Sequence, residues 1–176
     1  MPIAPIPGGD LPAEIAGFKP RLLGFARSLT HDEDEAEDLV QETCLRALGA
    51  RDRFVPGTNL KAWLFTILRN LHLNRRRDAG VGPRVVAIDE LSADRQLFAN
   101  PAGDVERQVI ARADIERVVA AFRGLSATFA APLHLVAVEE MSYAETARLL
   151  DIPIGTVMSR IYRARRLLTA ALAEQQ

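Results

Sequence analysis

Between Arg160 and Arg166, four of seven residues are arginine and none is acidic. Twenty of the chain's 22 basic residues are arginine, whose planar fork suits phosphates and guanine edges better than lysine does. At helical spacing, Ser159, Tyr162, Arg163 and Arg166 share one face. Val157, Ile161, Ala164 and Leu168 form an apolar stripe on another face of the same helix. Base contacts are therefore expected from Ser159, Tyr162 and Arg163, and phosphate contacts from Thr156, Arg160, Arg165 and Arg166. Upstream, Ser142 and Glu145 have the spacing of a capping box in front of a short helix, 143–150. Pro153 then breaks the chain, because it removes an N–H and disfavours a helical Ile152. A short helix, a tight turn and a longer arginine-faced helix is how a recognition helix reaches the major groove. The same pattern also fits an ordinary helical hairpin with a solvated basic face.

A second basic segment, Arg69 to Arg84, holds five arginines and one aspartate. Between them in charge, though not in position, stands His31 to Glu42, with seven acids and no lysine or arginine. The net charge of −1 hides this segregation. Two basic segments far apart on predicted helices point to two contacts with one polyanion.

The elements that carry these groups follow from period-3.6 patterning. Ala36, Leu39, Val40, Thr43, Ala47 and Leu48 form one apolar stripe, with Glu35, Asp38, Gln41, Glu42 and Arg46 opposite. Leu60, Trp63, Leu64, Ile67, Leu68 and Leu71 form another. Pro56-Gly57 signals a turn before it, and Thr58 or Asn59 is placed to cap it. Ile115, Val118, Val119 and Phe122 mark a helix, and Pro132–Glu140 another. No strand-period segment is longer than Arg84–Ile88. The expected fold is all-α, with two small helical domains. The chain divides into a tail at 1–10, a first block at 11–78, a linker rich in Gly and Pro at 79–103, and a second block at 104–176. A short ordered piece around Val85–Leu91 is allowed within that linker.

Composition excludes several classes. With 176 residues, 48% apolar and 26% charged, the chain is globular and makes one ordinary domain or two small ones. It has no run of about 18 apolar residues, so no membrane span is expected. The opening MPIAPIPGGD has no basic or apolar signal segment. One cysteine, Cys44, allows neither an internal disulfide nor a cysteine metal cluster, and it reads as a small core residue in a cytoplasmic protein. His31, His72 and His134 are scattered and read as surface or helix-end residues rather than metal ligands. The acids at 31–42 lack the alternation of a calcium loop. No catalytic motif occurs, and no cofactor or small-molecule substrate is expected.

Three strings together resemble the bacterial extracytoplasmic-function (ECF) sigma factors. Gly155–Arg165, GTVMSRIYRAR, resembles the signature of their region 4. Asp34–Thr43, DEAEDLVQET, resembles the region 2 helix that docks on the polymerase clamp, and Asn59–Asn70, NLKAWLFTILRN, the segment that melts and reads the minus-ten element. The wording of Pro56–Asn70 and Gly155–Arg165 is most similar to the general-stress-response subgroup, which a small anti-sigma protein holds. The resemblance implies contacts with core RNA polymerase through Asp38, Gln41, Glu42 and Arg46. It implies minus-ten contacts through Asn59, Lys61, Arg69, Asn70, Asn74, Arg76 and Arg77, with Phe54 beside the loop that traps an extruded base. It assigns the minus-35 element to Thr156, Ser159, Arg160, Tyr162, Arg163, Arg165 and Arg166. Asp89, Glu90 and Asp94 fall where the family threads a linker toward the polymerase channel. The sequence departs from the family pattern at Asn74, Ser126, Ala130, Asp151 and Met158. The rival readings are a sigma-like decoy that titrates an anti-sigma, and a dimeric helix-turn-helix repressor.

Overall fold

The computed structural model describes residues 10–55, 57–80 and 112–173. The tail at 1–9, Pro56, most of the expected linker with Val85–Leu91, Asp89, Glu90 and Asp94, and residues 104–111 and 174–176 lie outside the described residues. Eight α-helices are present among the described residues: α1 (Leu11–Gly17), α2 (Lys19–Thr30), α3 (Glu33–Gly49), α4 (Leu60–Asp78), α5 (Arg112–Arg123), α6 (Ala127–Ala137), α7 (Tyr143–Leu150) and α8 (Ile154–Ala173). A 3-10 turn, Arg51–Arg53, follows α3.

The helix ends follow local chemistry. The Asp32 side chain accepts the backbone N–H of Glu35 at 2.8 Å. Glu33, Asp34 and Glu35 then fill the first turn of α3, where the helix dipole favours negative charge. Asn59, rather than Thr58, caps α4, accepting from the Ala62 N–H at 3.0 Å. Gly57, with φ of 86°, makes the turn before it in a conformation that costs other residues more. Arg75, Arg76 and Arg77 close α4 at its negative end. Ser142 and Glu145 form the expected capping box on α7.

Asp151 caps α7 in the left-handed conformation, with φ 53° and ψ 51°. A Cβ is unfavourable there, so Asp151→Gly is expected to stabilise the chain by about 0.5–1 kcal/mol. A urea titration monitored by helicity checks this; an unchanged or lowered midpoint counts against it.

The patterning placed most of the core. Ala36, Leu39, Val40, Thr43 and Ala47 of α3 are buried, as are Leu60, Leu64, Leu68 and Leu71 of α4. Together with Leu22, Phe25 and Ala26 of α2 they form the first core. Val157, Ile161 and Ala164 of α8 pack with Leu125, Ala130, Leu133 and Ala147 in the second. Cys44 is buried, as expected.

Several expectations need correction. Leu48 does not join the buried α3 stripe and is exposed, although Ala47 beside it is fully buried. The helix expected at Pro132–Glu140 begins five residues earlier and contains Pro132. Burial of Ala130, Ala131, Leu133 and Leu135 outweighs the loss of one helical hydrogen bond there. His31 is exposed at a helix end, but His72 and His134 are buried, and His134 Nε2 lies 3.8 Å from the Glu139 carboxylate. Ile115, Val118 and Val119, which marked α5, remain exposed.

The tertiary feature absent from the patterning is that the two blocks pack on one another. Ala131, Leu135, Met141 and Leu149 of the second block enter the first core. Phe25 stacks on Phe65 at 5.2 Å between ring centroids, and on His134 at 6.1 Å. Glu139, 2% exposed, accepts from Arg21 Nε at 2.9 Å. Burying three large apolar side chains at this joint contributes roughly 5–9 kcal/mol before ordering costs.

Candidate nucleic-acid interface

The arginine-bearing face of α8 is displayed much as its spacing predicts. Tyr162 is 47% exposed, and Arg165 and Arg166 are also exposed. Thr156, Ser159, Arg160 and Arg163 are half-buried. The buried stripe Val157, Ile161 and Ala164 turns this face outward by anchoring the opposite one. The Arg166 guanidinium lies 6.0 Å from the centroid of the Tyr162 ring, a cation–π distance that holds both side chains on the surface. The Ser159 hydroxyl donates to the Thr156 carbonyl at 3.1 Å, leaving its lone pairs as acceptors. Burial lowers the pKa of Arg160, which nonetheless stays charged. Ala130, where the family has arginine, is fully buried in the second core and contributes packing alone.

The residues expected at the minus-ten element are not all equally available. Asn59, Asn70, Asn74 and Arg77 are exposed, and Arg76 is half-buried. Lys61 and Arg69 are engaged by the second block. Lys61 Nζ donates to the Glu139 carbonyl at 2.7 Å, and Arg69 Nη2 to the Leu150 carbonyl at 2.9 Å. The Oδ1 of Asn59 serves the α4 cap, which leaves its amide donors. Phe54 packs on Trp63 at 5.1 Å between centroids, so part of that ring is already covered.

Between α3, the 3-10 turn and α4 lies a cleft of about 520 Å³, lined by Arg46, Arg53, Asn70 and Asn74 over Ile67 and Leu71. It offers amide donors and acceptors beside two guanidinium groups and no carboxylate, a composition suited to a base edge and its phosphate. Arg53 was missed from sequence. It sits in the short mixed run Arg51-Asp52-Arg53, where an acid between the two arginines and the lack of periodicity leave nothing to single it out.

The acidic helix α3 also divides. Asp38, Gln41 and Arg46 are exposed. Glu42 is half-buried and ion-paired to Arg75 at 2.7 Å and to Arg46 at 2.9 Å. The hydrogen bond from Arg75 holds its carboxyl below the ordinary carboxylate range. Glu42 thus ties the last turn of α4 to α3, and only part of it faces outward.

A family described as Sigma-70 region 2 matches residues 15–81, and Sigma-70, region 4 matches residues 115–168. The chain is 40% identical to the ECF RNA polymerase sigma factor EcfG of Rhodopseudomonas palustris, over 90% of this chain and 83% of that one. It is 35% identical to the RNA polymerase sigma factor CnrH of Cupriavidus metallidurans, over 84% and 78%. Its fold is similar to the sigma factor RpoE of Bartonella quintana, solved in complex with the anti-sigma factor NepR. That match has a TM-score of 0.66 and 33% identity, over 95% of this chain and 99% of that one. Two matched regions in the right order, and a relative covered along most of its length, show that the chain belongs to the ECF RNA polymerase sigma factors.

Proposed function

We propose that this sigma factor brings core RNA polymerase to its promoters by reading two elements with two arginine-bearing helices. On this reading α8 enters the major groove of the minus-35 element. Tyr162, Arg163 and Ser159 touch base edges, and Thr156, Arg160, Arg165 and Arg166 hold phosphates. The cleft with Asn70 and Asn74 takes an extruded base of the minus-ten element, offsetting a few kcal/mol of lost stacking. Lys61, Arg69, Arg76 and Arg77 hold phosphates of the opened strand, and Asn59 stands beside them. Asp38, Gln41 and Arg46, with the outward part of Glu42, dock on the polymerase, since an acidic face repels DNA and suits a basic protein surface. The observation that carries this reading is the pairing of an exposed recognition face with an amide- and arginine-lined cleft in one chain.

The protein works by binding, without catalysis of its own, and in the cytoplasm beside the polymerase. No helix among the described residues is long and apolar enough to cross a membrane. An anti-sigma factor controls it in a stress response. A cleft of about 500 Å³ supports such a partner, because its lining comes from both blocks, with Ser28 and Glu33 on one side and Val118, Phe122 and Val138 on the other.

Run-off transcription with core polymerase on a cognate promoter tests the reading. Arg163→Ala is expected to weaken use of the minus-35 element by about 1–3 kcal/mol, roughly 5- to 150-fold, if it reads a guanine. Equal transcript from the variant would remove Arg163 from the assignment. Absence of a promoter-dependent product from any cognate sequence would remove the function.

A further inference from the structure

We propose that Glu42 is a positioning residue for minus-ten reading, holding the Arg46 guanidinium at the rim of the Asn70–Asn74 cleft and fastening the two walls of that cleft together. This rests on the reading that the cleft takes an extruded base, and it gives Glu42 a role beside its contact with the polymerase.

The end of α3 and the 3-10 turn supply one wall with Arg46 and Arg53, and α4 supplies the other with Asn70 and Asn74, one helical turn apart. Glu42 stands one turn before Arg46 on α3, outside the cleft lining, and its two oxygens serve different partners. Oε1 accepts from Arg46 Nε at 3.1 Å, with Nη2 at 2.9 Å. Oε2 accepts from Arg75 Nε at 3.3 Å and from Nη2 at 2.7 Å. Arg75 follows Asn74 directly, so the second pair fastens the α4 wall to α3 beside the cleft. The first pair takes one edge of the Arg46 fork and leaves its Nη1 donors for a base edge or a phosphate.

A free surface arginine samples many rotamers, and ordering it opposes each binding event. Glu42 imposes that order when the chain folds, before a strand arrives. Its side chain is 32% exposed and that of Arg75 34%, so this pair is screened less than one at the open surface. Two guanidinium groups with one carboxylate leave one surplus positive charge; without the carboxylate they leave two. The added charge attracts any phosphate and distinguishes no base. Loss of Glu42 therefore separates two quantities: attraction to the strand is kept or raised, while discrimination among bases falls. A carboxylate that only touched the polymerase would do the opposite, weakening docking and leaving base preference as it was.

The test uses the full chain with excess core polymerase and a promoter that the parent transcribes, six positions of its minus-ten element being randomised. Complexes that survive a heparin challenge are recovered and their DNA is sequenced. Preference is read as the ratio of best to worst base at each position, so changes in total recovery cancel. The parent is expected to show about fivefold or more at one position or several, the low end for a paired contact to a base edge. With Glu42→Gln, and separately with Arg75→Ala, the ratio at one such position is expected to fall below about twofold. Adding Glu42→Gln to Arg46→Ala is expected to cost no more there than Arg46→Ala alone, because both act through one guanidinium. Circular dichroism checks that each variant keeps its helicity, and a titration with core polymerase measures docking separately. Unchanged base preference in Glu42→Gln, whatever happens to docking, overturns the proposal, and so does a further loss in the double variant. Asn70→Ala distinguishes this failure from that of the reading beneath it. A flattened profile for Asn70→Ala beside an unchanged one for Glu42→Gln removes the proposal alone. Unchanged profiles for both remove the cleft from minus-ten reading as well.

Discussion

Phe65→Ala lowers the stability of the whole chain by about 3–5 kcal/mol, the expected loss for removing a fully buried aromatic side chain. Phe65 has no exposed surface and stacks on Phe25, which in turn stacks on His134 of the second block. The cavity would open where α2, α4 and α6 meet, and neither block can close it alone. Trp63→Ala is the useful contrast. Trp63 is half-buried and packs on the half-buried Phe54 at the edge of the same helix, so its loss is expected to cost about 1–2 kcal/mol. Urea titrations followed by far-UV circular dichroism give both values. Equal losses would mean that the Phe25–Phe65–His134 stack is not a centre of the fold. A single shifted transition is expected, rather than two, because the blocks share this core.

Acid weakens the protein well before its carboxylates titrate. His72 is 5% exposed, and its Nδ1 has no hydrogen-bond partner. Burial, with a smaller contribution from the cations of Arg76 and Arg75, lowers its pKa from 6.5 to about 4. The unfolded chain takes up a proton at this site below pH 6.5, whereas the folded chain does not until about pH 4. Unfolding is therefore coupled to proton uptake across that window. Stability is fully present above pH 6.5 and falls as the pH drops, by about 2 kcal/mol at pH 5 and about 3 kcal/mol near pH 4. His134, also lowered by burial, adds in the same direction. Glu42 and Glu145, whose pKa values are lowered by their partners, add their loss only below the ordinary carboxylate value of 4.5. The interval from pH 6.5 to 5 therefore isolates the histidines. His72→Leu is expected to flatten stability over that interval by about 2 kcal/mol relative to the parent. Parallel curves for the two proteins would show that His72 is not held neutral.

Much of the candidate site was legible because its signals are local. A capping box, a proline break and an arginine-faced helix are set by residues three or four apart, and they recur in α7 and α8 as read. The segregation of charge placed the acidic helix and the two basic ones. Arg53 was not legible, since it reaches the Asn70–Asn74 cleft only through the fold of the 3-10 turn. Glu42 read as a surface acid because its partner Arg75 lies 33 residues away. His72 and His134 read as surface residues because polar type predicts exposure unless a tertiary core closes over it.

By itself the sequence determined the helices, the apolar faces and the sign of charge on each, because intrahelical hydrogen bonds and period-3.6 burial depend on near neighbours. Only the tertiary structure decided that the two blocks close on each other. That closure rests on Leu135, Met141 and Leu149 filling the first core, on a glycine at position 24 that admits His134, and on carbonyls that take Lys61 and Arg69. All are contacts between residues far apart in the sequence, and local patterning carries no information about them.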